Sequence, residues 1–170
     1  MRLARTCLLA FGLLAAWTTH ADEITGRVVS IADGDTITVL DTSNTQHKIR
    51  LEGIDAPERG QPFGTRSRQN LSDLVFGKVA RVDWHKRDRY GRVVGKVWVT
   101  PSELNCMQEP CPKTLDAGRA QLTVGLAWHF KKYEMEQSEQ DRLVYAFEEP
   151  ESRTALGVAA EAELTLPTQI

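Results

Sequence analysis

Between Ile24 and Thr100 apolar and polar residues alternate in short runs separated by tight polar turns, which restricts the chain to an architecture built from small strands. The alternation passes from Ile24 through Val28 and Ser30 to Asp33-Gly34 and resumes from Thr36 to Leu40, predicting two strands joined by an Asp-Gly hairpin turn. Asp41 to Thr45 supplies another polar turn before a strand from His47 to Ile54, so the opening reads as a three-stranded meander. After a loop from Gln61 to Thr65, Leu71, Leu74 and Val75 recur at helical spacing within Arg66 to Phe76, and Gly77 stands where a C-terminal cap belongs. Val79 to Trp84 and Arg92 to Thr100 return to the strand pattern, linked by the charged segment His85 to Gly91.

Five short strands with a helix inserted predict an α+β, mainly β fold, a five-stranded barrel of the OB kind. Beyond Pro101, a loop holding Cys106 and Cys111 ends at Pro112. Leu115, Ala120, Leu122 and Val124 then mark a second helix leading to Gly125, a plug for the barrel. A third helical stretch runs from about Ser138 with Leu143, Val144 and Phe147 on one face; Pro150 either kinks it or starts a new helix at its first turn, and the break is the favoured outcome. About three helices therefore pack on the barrel. A chain of 170 residues with 41% hydrophobic and 26% charged content fits one globular core. The expected division is a single domain over 22–170, with the barrel over about 24–100 and the helical part over about 113–165.

Residues 1–21 have the three-part form of a cleavable secretory signal: Arg2 and Arg5, the apolar run Cys7 to Trp17, then Thr19-His20-Ala21. The alternative is an uncleaved N-terminal anchor, for which the apolar run is short. Cleavage near Asp22 would leave an exported chain, periplasmic or secreted, with no membrane anchor. Cys106 and Cys111 would then meet an oxidising compartment, where a local disulfide is the simplest outcome and two free thiols the alternative. A zinc site lacks ligands, since His47, His85 and His129 are scattered. The net charge of −2 argues against tight non-specific DNA binding, but it is unevenly spread. Lys78, Arg81, Lys86, Arg87, Arg89, Arg92 and Lys96 crowd the middle, where a basic face can steer an anionic polymer, and the tail is acidic.

The stretch Ile49 to Glu58 carries the densest chemistry: a strand anchored by Ile49, Leu51 and Ile54 that ends among Arg50, Asp55 and Glu58, with Pro57 holding its exit extended. A strand end of this kind offers carboxylates and a backbone carbonyl to a hard cation; the alternative is a solvated charged turn. Asp33-Gly34-Asp35-Thr36 has the short look of a calcium loop but is not an EF-hand, because Ile37 and Thr38 stand where a ligand and a glycine are needed. Asp33 and Asp35, two apart, can both face Asp55 if the hairpin packs beside that strand. Asp88-Arg89-Tyr90-Gly91-Arg92 sets a guanidinium beyond a glycine turn, and Arg50 with Arg92 can clamp one phosphate by paired hydrogen bonds. A surface ion pair is the plainer use of either arginine.

In order, Asp33-Gly34-Asp35-Thr36, Arg50-Leu51 with Asp55-Ala56-Pro57-Glu58, Asp88-Arg89-Tyr90-Gly91-Arg92 and Gly125-Leu126-Ala127 resemble the thermonuclease (staphylococcal nuclease) family, over about Thr25 to Tyr133 and more faintly to Gly157. The resemblance implies an OB barrel with helices and Ca2+ held by Asp35, Asp55 and the carbonyl of Ala56. It also implies Glu58 acting on the attacking water, Arg50 and Arg92 on the phosphate, and Tyr90 and Tyr133 lining the nucleotide pocket. The activity to expect is Ca2+-dependent phosphodiester hydrolysis of DNA and RNA, by an endonuclease leaving 3′-phosphate ends. The protein would work as a monomer without a stable protein partner. The rival is a non-catalytic OB module that binds nucleic acid, and a barrel used for protein contacts would leave Asp35, Asp55, Glu58, Arg50 and Arg92 without a shared purpose. The chain departs from the family in Ala56 for threonine, a short loop from Arg59 to Gly64, an inserted Cys106 to Cys111 segment, and Gly157-Val158-Ala159 for Gly-Leu-Trp.

Overall fold

The computed structural model describes residues 22–106 and 108–149. The expected signal segment, the expected break at Pro150 and the tail at Gly157-Val158-Ala159 lie outside these residues. β1 (Asp22–Ile31), β2 (Thr36–Asp41) and β3 (Gln46–Leu51) form the antiparallel meander. β4 (Ile54–Asp55) and helix α1 (Gly64–Val75) follow, then the hairpin of β5 (Val79–Arg87) and β6 (Val93–Val99). β5 pairs with β1, and β6 closes the cylinder by parallel pairing with β3, Ile49 opposite Val93 and Leu51 opposite Gly95. The result is the five-stranded OB barrel. Closure leaves no long unpaired edge, and alternation turns Val28, Ile37, Val39, Ile49, Val82, Val93 and Val97 inward, where all are fully buried.

The remaining elements among the described residues are a 3₁₀ turn (Ser102–Leu104), β7 (Leu115–Asp116), α2 (Ala117–Thr123), β8 (Trp128–His129), a 3₁₀ segment (Lys131–Glu136) and α3, residues 139–149. Three α-helices are present among the described residues, and Leu71, Val75, Ala117, Leu122 and Tyr145 join the core. Within the described residues no helix is long and apolar enough to cross a membrane. Cys106 and Cys111 are bonded, their Cα atoms 5.9 Å apart.

Several expectations need correction. The strand from His47 stops at Leu51, because Gly53 turns the chain with φ 77°, and the two residues of β4 join a separate ribbon with β8. Leu115 belongs to β7 opposite Val99, and Val124 lies past the end of α2, half exposed. On α3 the packed side is Val144 and Tyr145, whereas Leu143 and Phe147 are 67% and 78% exposed. The helical spacing was right and its phase was not, because a tyrosine took the core position.

Gly34 also sits there for a different reason. Its φ is unexceptional, but a Cβ would lie 1.8 Å from Ser67 Oγ and 2.8 Å from the Ala56 Cβ. The turn is thus pressed onto α1 and the site strand. Gln121, fully buried on α2, locks it by donating from Nε2 to Gly34 O at 2.8 Å and Ser67 O at 2.9 Å. Gly34→Ala is expected to cost about 1–3 kcal/mol through overpacking and to weaken any ligand of Asp35. Thermal unfolding checks this; an unchanged melting temperature would contradict it.

Candidate active site

Arg50 is the hub. From β3 its Nη1 reaches Asp35 Oδ2 at 2.7 Å and donates to Ile54 O at 2.9 Å, while Nη2 donates to Asp55 Oδ1 at 2.7 Å. One guanidinium therefore binds together the β1–β2 turn and β4. Ala56 N donates to Asp35 Oδ2 at 3.1 Å and Thr36 Oγ1 to Asp35 Oδ1 at 2.8 Å, so Asp35, Asp55 and Ala56 converge. Asp33 does not join them: its Oδ1 accepts from Asp35 N at 3.2 Å, folded back on its own turn.

Two carboxylates on one hydrogen-bonding fork, beside a backbone segment whose carbonyls are hard oxygens, fit a hard cation by donor chemistry. Burial fits it too. Asp35 is 6% exposed, and its carboxyl is pushed up to about 7, mainly by burial, with Arg50 opposing and Asp33 adding to the rise. A buried carboxylate short of compensating charge gains from a cation. Among the described residues no group of three or more His, Cys, Asp or Glu gathers as a metal cluster, so a cation here would rest on two carboxylates and a carbonyl.

Arg92 faces the same turn. Asp88 accepts its Nε at 2.7 Å and the backbone N–H groups of Tyr90 and Arg92 at 2.9 Å each, fixing the turn with Gly91 at φ 79°. Burial raises the Asp88 carboxyl, but these bonds outweigh it and hold the group below the usual range. Arg92 Nη1 comes within 3.5 Å of Thr36 Oγ1, placing this second guanidinium next to the residue that bonds Asp35. Tyr90, 68% exposed, lies under both Arg89 and Arg92.

Arg50, Arg92, Tyr90 and Tyr133 share the wall of a cavity of about 330 Å³, where Lys86 sits over the Tyr133 ring and pairs with Glu136. Phe130 brings its ring to 5.8 Å from the Arg50 guanidinium, and Phe130 N donates to Gly53 O. Gly125-Leu126-Ala127 leads into β8, whose Trp128 pairs with Asp55 and His129 with Ile54, which positions the second carboxylate. Glu58 stands apart. It is exposed beyond Pro57, and among the described residues no ion pair holds its carboxylate. Its carbonyl packs against the start of α1, where a Cβ on Gly64 would come within 2.1 Å.

Gln121 and Phe130 were missed from the sequence, and Thr36 and Asp88 were recognised only as members of their motifs, without a role of their own. Asp88 had a signal, lying four residues before Arg92 in the turn; Gln121 had none, since a lone glutamine in a helix looks like surface.

Comparison with known proteins places the chain in a family. A family model described as staphylococcal nuclease homologue matches residues 48–155. The chain belongs to that family. It is 35% identical over 153 residues to a micrococcal nuclease of Shigella flexneri, covering 85% of this chain and 79% of that protein. It is 44% identical over 109 residues to the protein ParB of Escherichia coli and 37% over 131 residues to an uncharacterized endonuclease of Haemophilus influenzae. Those two matches cover 64% and 77% of this chain but only 59% and 65% of the relatives' own lengths. The family match begins within β3, so Arg50, Asp55, Ala56, Glu58, Tyr90, Arg92 and Tyr133 lie inside it and Asp35 before it.

Proposed function

We propose that the chain is an endonuclease that hydrolyses phosphodiester bonds of DNA and RNA with Ca2+ and leaves 3′-phosphate ends. The observation that carries this reading is Arg50 joining Asp35 and Asp55 with Arg92 across the turn, the two arginines bordering a cavity sized for a nucleotide. Asp35, Asp55 and the Ala56 carbonyl would hold Ca2+, which when bound polarises a phosphoryl oxygen and offsets charge. Arg50 and Arg92 present paired donors to the phosphate, where negative charge grows in the transition state. Arg50 is paired with both carboxylates, and a cation held by them would leave its fork free for substrate. Glu58 takes the proton of the attacking water. Tyr90 and Tyr133 flank the nucleotide. Residues 1–21 are proposed to export the chain to the periplasm or medium, and the protein to act as a monomer.

Arg92→Lys keeps the charge but loses the fork, and hydrolysis of plasmid DNA and of RNA should fall about 10²–10³-fold. Product ends should block polymerase extension until a phosphatase is added. Rates near the parent's, or ends that prime directly, would contradict these assignments.

Asp35 sets a pH dependence. With its carboxyl raised to about 7, the folded chain keeps a proton that the unfolded chain loses near the ordinary aspartate value of 3.8. Across that window the group's contribution to the cation-free protein's stability falls as pH rises. Ca2+ must displace that proton, so the rise in melting temperature with Ca2+ should be larger at pH 8 than at pH 5. Equal shifts at both would contradict it.

A further inference from the structure

Glu52 lines the same cavity yet has no part in the constellation of Arg50, Asp35, Asp55 and Arg92. Its backbone N–H donates to Gly95 O at 3.0 Å across the β3–β6 seam, and Gly53 turns the chain immediately after it. Arg50 lies two residues earlier, near the end of β3, and borders the same cavity. The electrostatic neighbours of Glu52 are His85, Lys96, Asp141 and Lys86, not the carboxylates and turn that surround the two arginines. Tyr90, Phe130 and Tyr133 supply ring surface in the same cavity. Burial raises the Glu52 carboxyl above the usual glutamate range, with His85, Lys96 and Lys86 opposing and Asp141 adding. A carboxylate drawn out of water in this way rewards any donor brought to it.

We propose that Glu52 selects the nucleobase in this cavity, favouring bases that present amine donors, guanine above all, over thymine and uracil. The inference rests on the nuclease reading for the presence of a nucleotide in the cavity. An ionised carboxylate only accepts hydrogen bonds. Guanine offers N1–H and the 2-amine side by side, one for each carboxylate oxygen, and cytosine and adenine each offer a single exocyclic amine, as acidic side chains use with cytosine. Thymine and uracil offer one N3–H flanked by two carbonyl oxygens, which the carboxylate repels. A site built around a buried polar group rejects a ligand that leaves the group unpaired more sharply than a site built from apolar contacts does.

The test is calorimetric titration of the full chain, with Ca2+ present, using the 3′,5′-bisphosphates of deoxyguanosine and thymidine. The parent should bind the guanine compound about tenfold more tightly, the size expected for one good base contact. Glu52→Leu and Glu52→Gln should bring the ratio close to one, by weakening the guanine compound and relieving the repulsion of thymine. Glu52→Gln preserves shape and so guards against a folding defect in the leucine variant, and retained thymidine binding shows that each variant is folded. Equal affinities in the parent, or an unchanged ratio in both variants, would overturn the proposal while hydrolysis stands. Failure of the parent to bind either bisphosphate would overturn base selection and the nuclease reading together.

Discussion

Glu58→Gln is expected to lower the hydrolysis rate by about 10²–10⁴-fold, the range a positioned general base supplies. Binding of Ca2+ and nucleotide should be nearly unaffected. The side chain is exposed and engages no ion pair among the described residues, so its loss should neither unfold the protein nor disturb the Arg50 hub. Its position follows from the chain: three residues beyond Asp55, on a segment that Pro57 keeps extended and whose Glu58 N–H is tied to Gln61 Oε1 at 2.7 Å. Glutamine preserves that shape and removes the base. The predicted signature is a fall in kcat without a rise in KM, since the group acts in the transition state and not in ground-state binding. Single-turnover rates on a labelled oligonucleotide measure it directly. A near-parental kcat would remove Glu58 from the proposed role, and a fall confined to KM would make it a binding residue.

The second large effect concerns the cation. Two carboxylates and a carbonyl leave most coordination positions to water and substrate, so Ca2+ should bind modestly alone. A phosphate at Arg50 and Arg92 would add negative charge beside Asp35 and Asp55, and the cation would in turn release Arg50 from the carboxylates it now pairs. Each ligand should therefore strengthen the other, by about 5- to 150-fold for a coupling of ordinary size, and by the same factor in both directions. Titrating Ca2+ with and without thymidine 3′,5′-bisphosphate, then the nucleotide with and without Ca2+, closes the cycle. Independent binding would break the link between the carboxylate pair and the phosphate site.

Much of this was legible in the residues because alternation and turn chemistry are local. The strands of the meander, the β5–β6 hairpin, α1 with Gly77 at its end and the Asp88–Arg92 turn all follow from short-range pattern. What could not be read was set by distant packing. Nothing local says that β3 closes the barrel on β6, that β4 leaves the main sheet to pair with β8, or that Gln121 on α2 clamps the turn bearing Asp35. Gly34 shows the difference well: an Asp-Gly pair predicts a turn, and there is a turn, but the glycine answers the approach of Ser67 from thirty-three positions along the chain. Leu143 and Phe147 fit a helix and yet not its buried side, because periodicity fixes spacing and the partner fixes phase. Among the site residues, the charged types were recognisable, whereas the bridging role of Arg50 needed three segments brought together.

The most direct measurement is cleavage of supercoiled plasmid DNA by the purified protein in Ca2+, in EGTA, and in Mg2+ alone. Hydrolysis should be rapid with Ca2+ and absent with EGTA. With Mg2+ it should be much slower, because the smaller ion keeps its water and demands tighter geometry than two carboxylates and a carbonyl provide. Full cleavage in EGTA would contradict the cation site formed by Asp35, Asp55 and Ala56, and no cleavage under any of the three conditions would contradict the nuclease assignment itself.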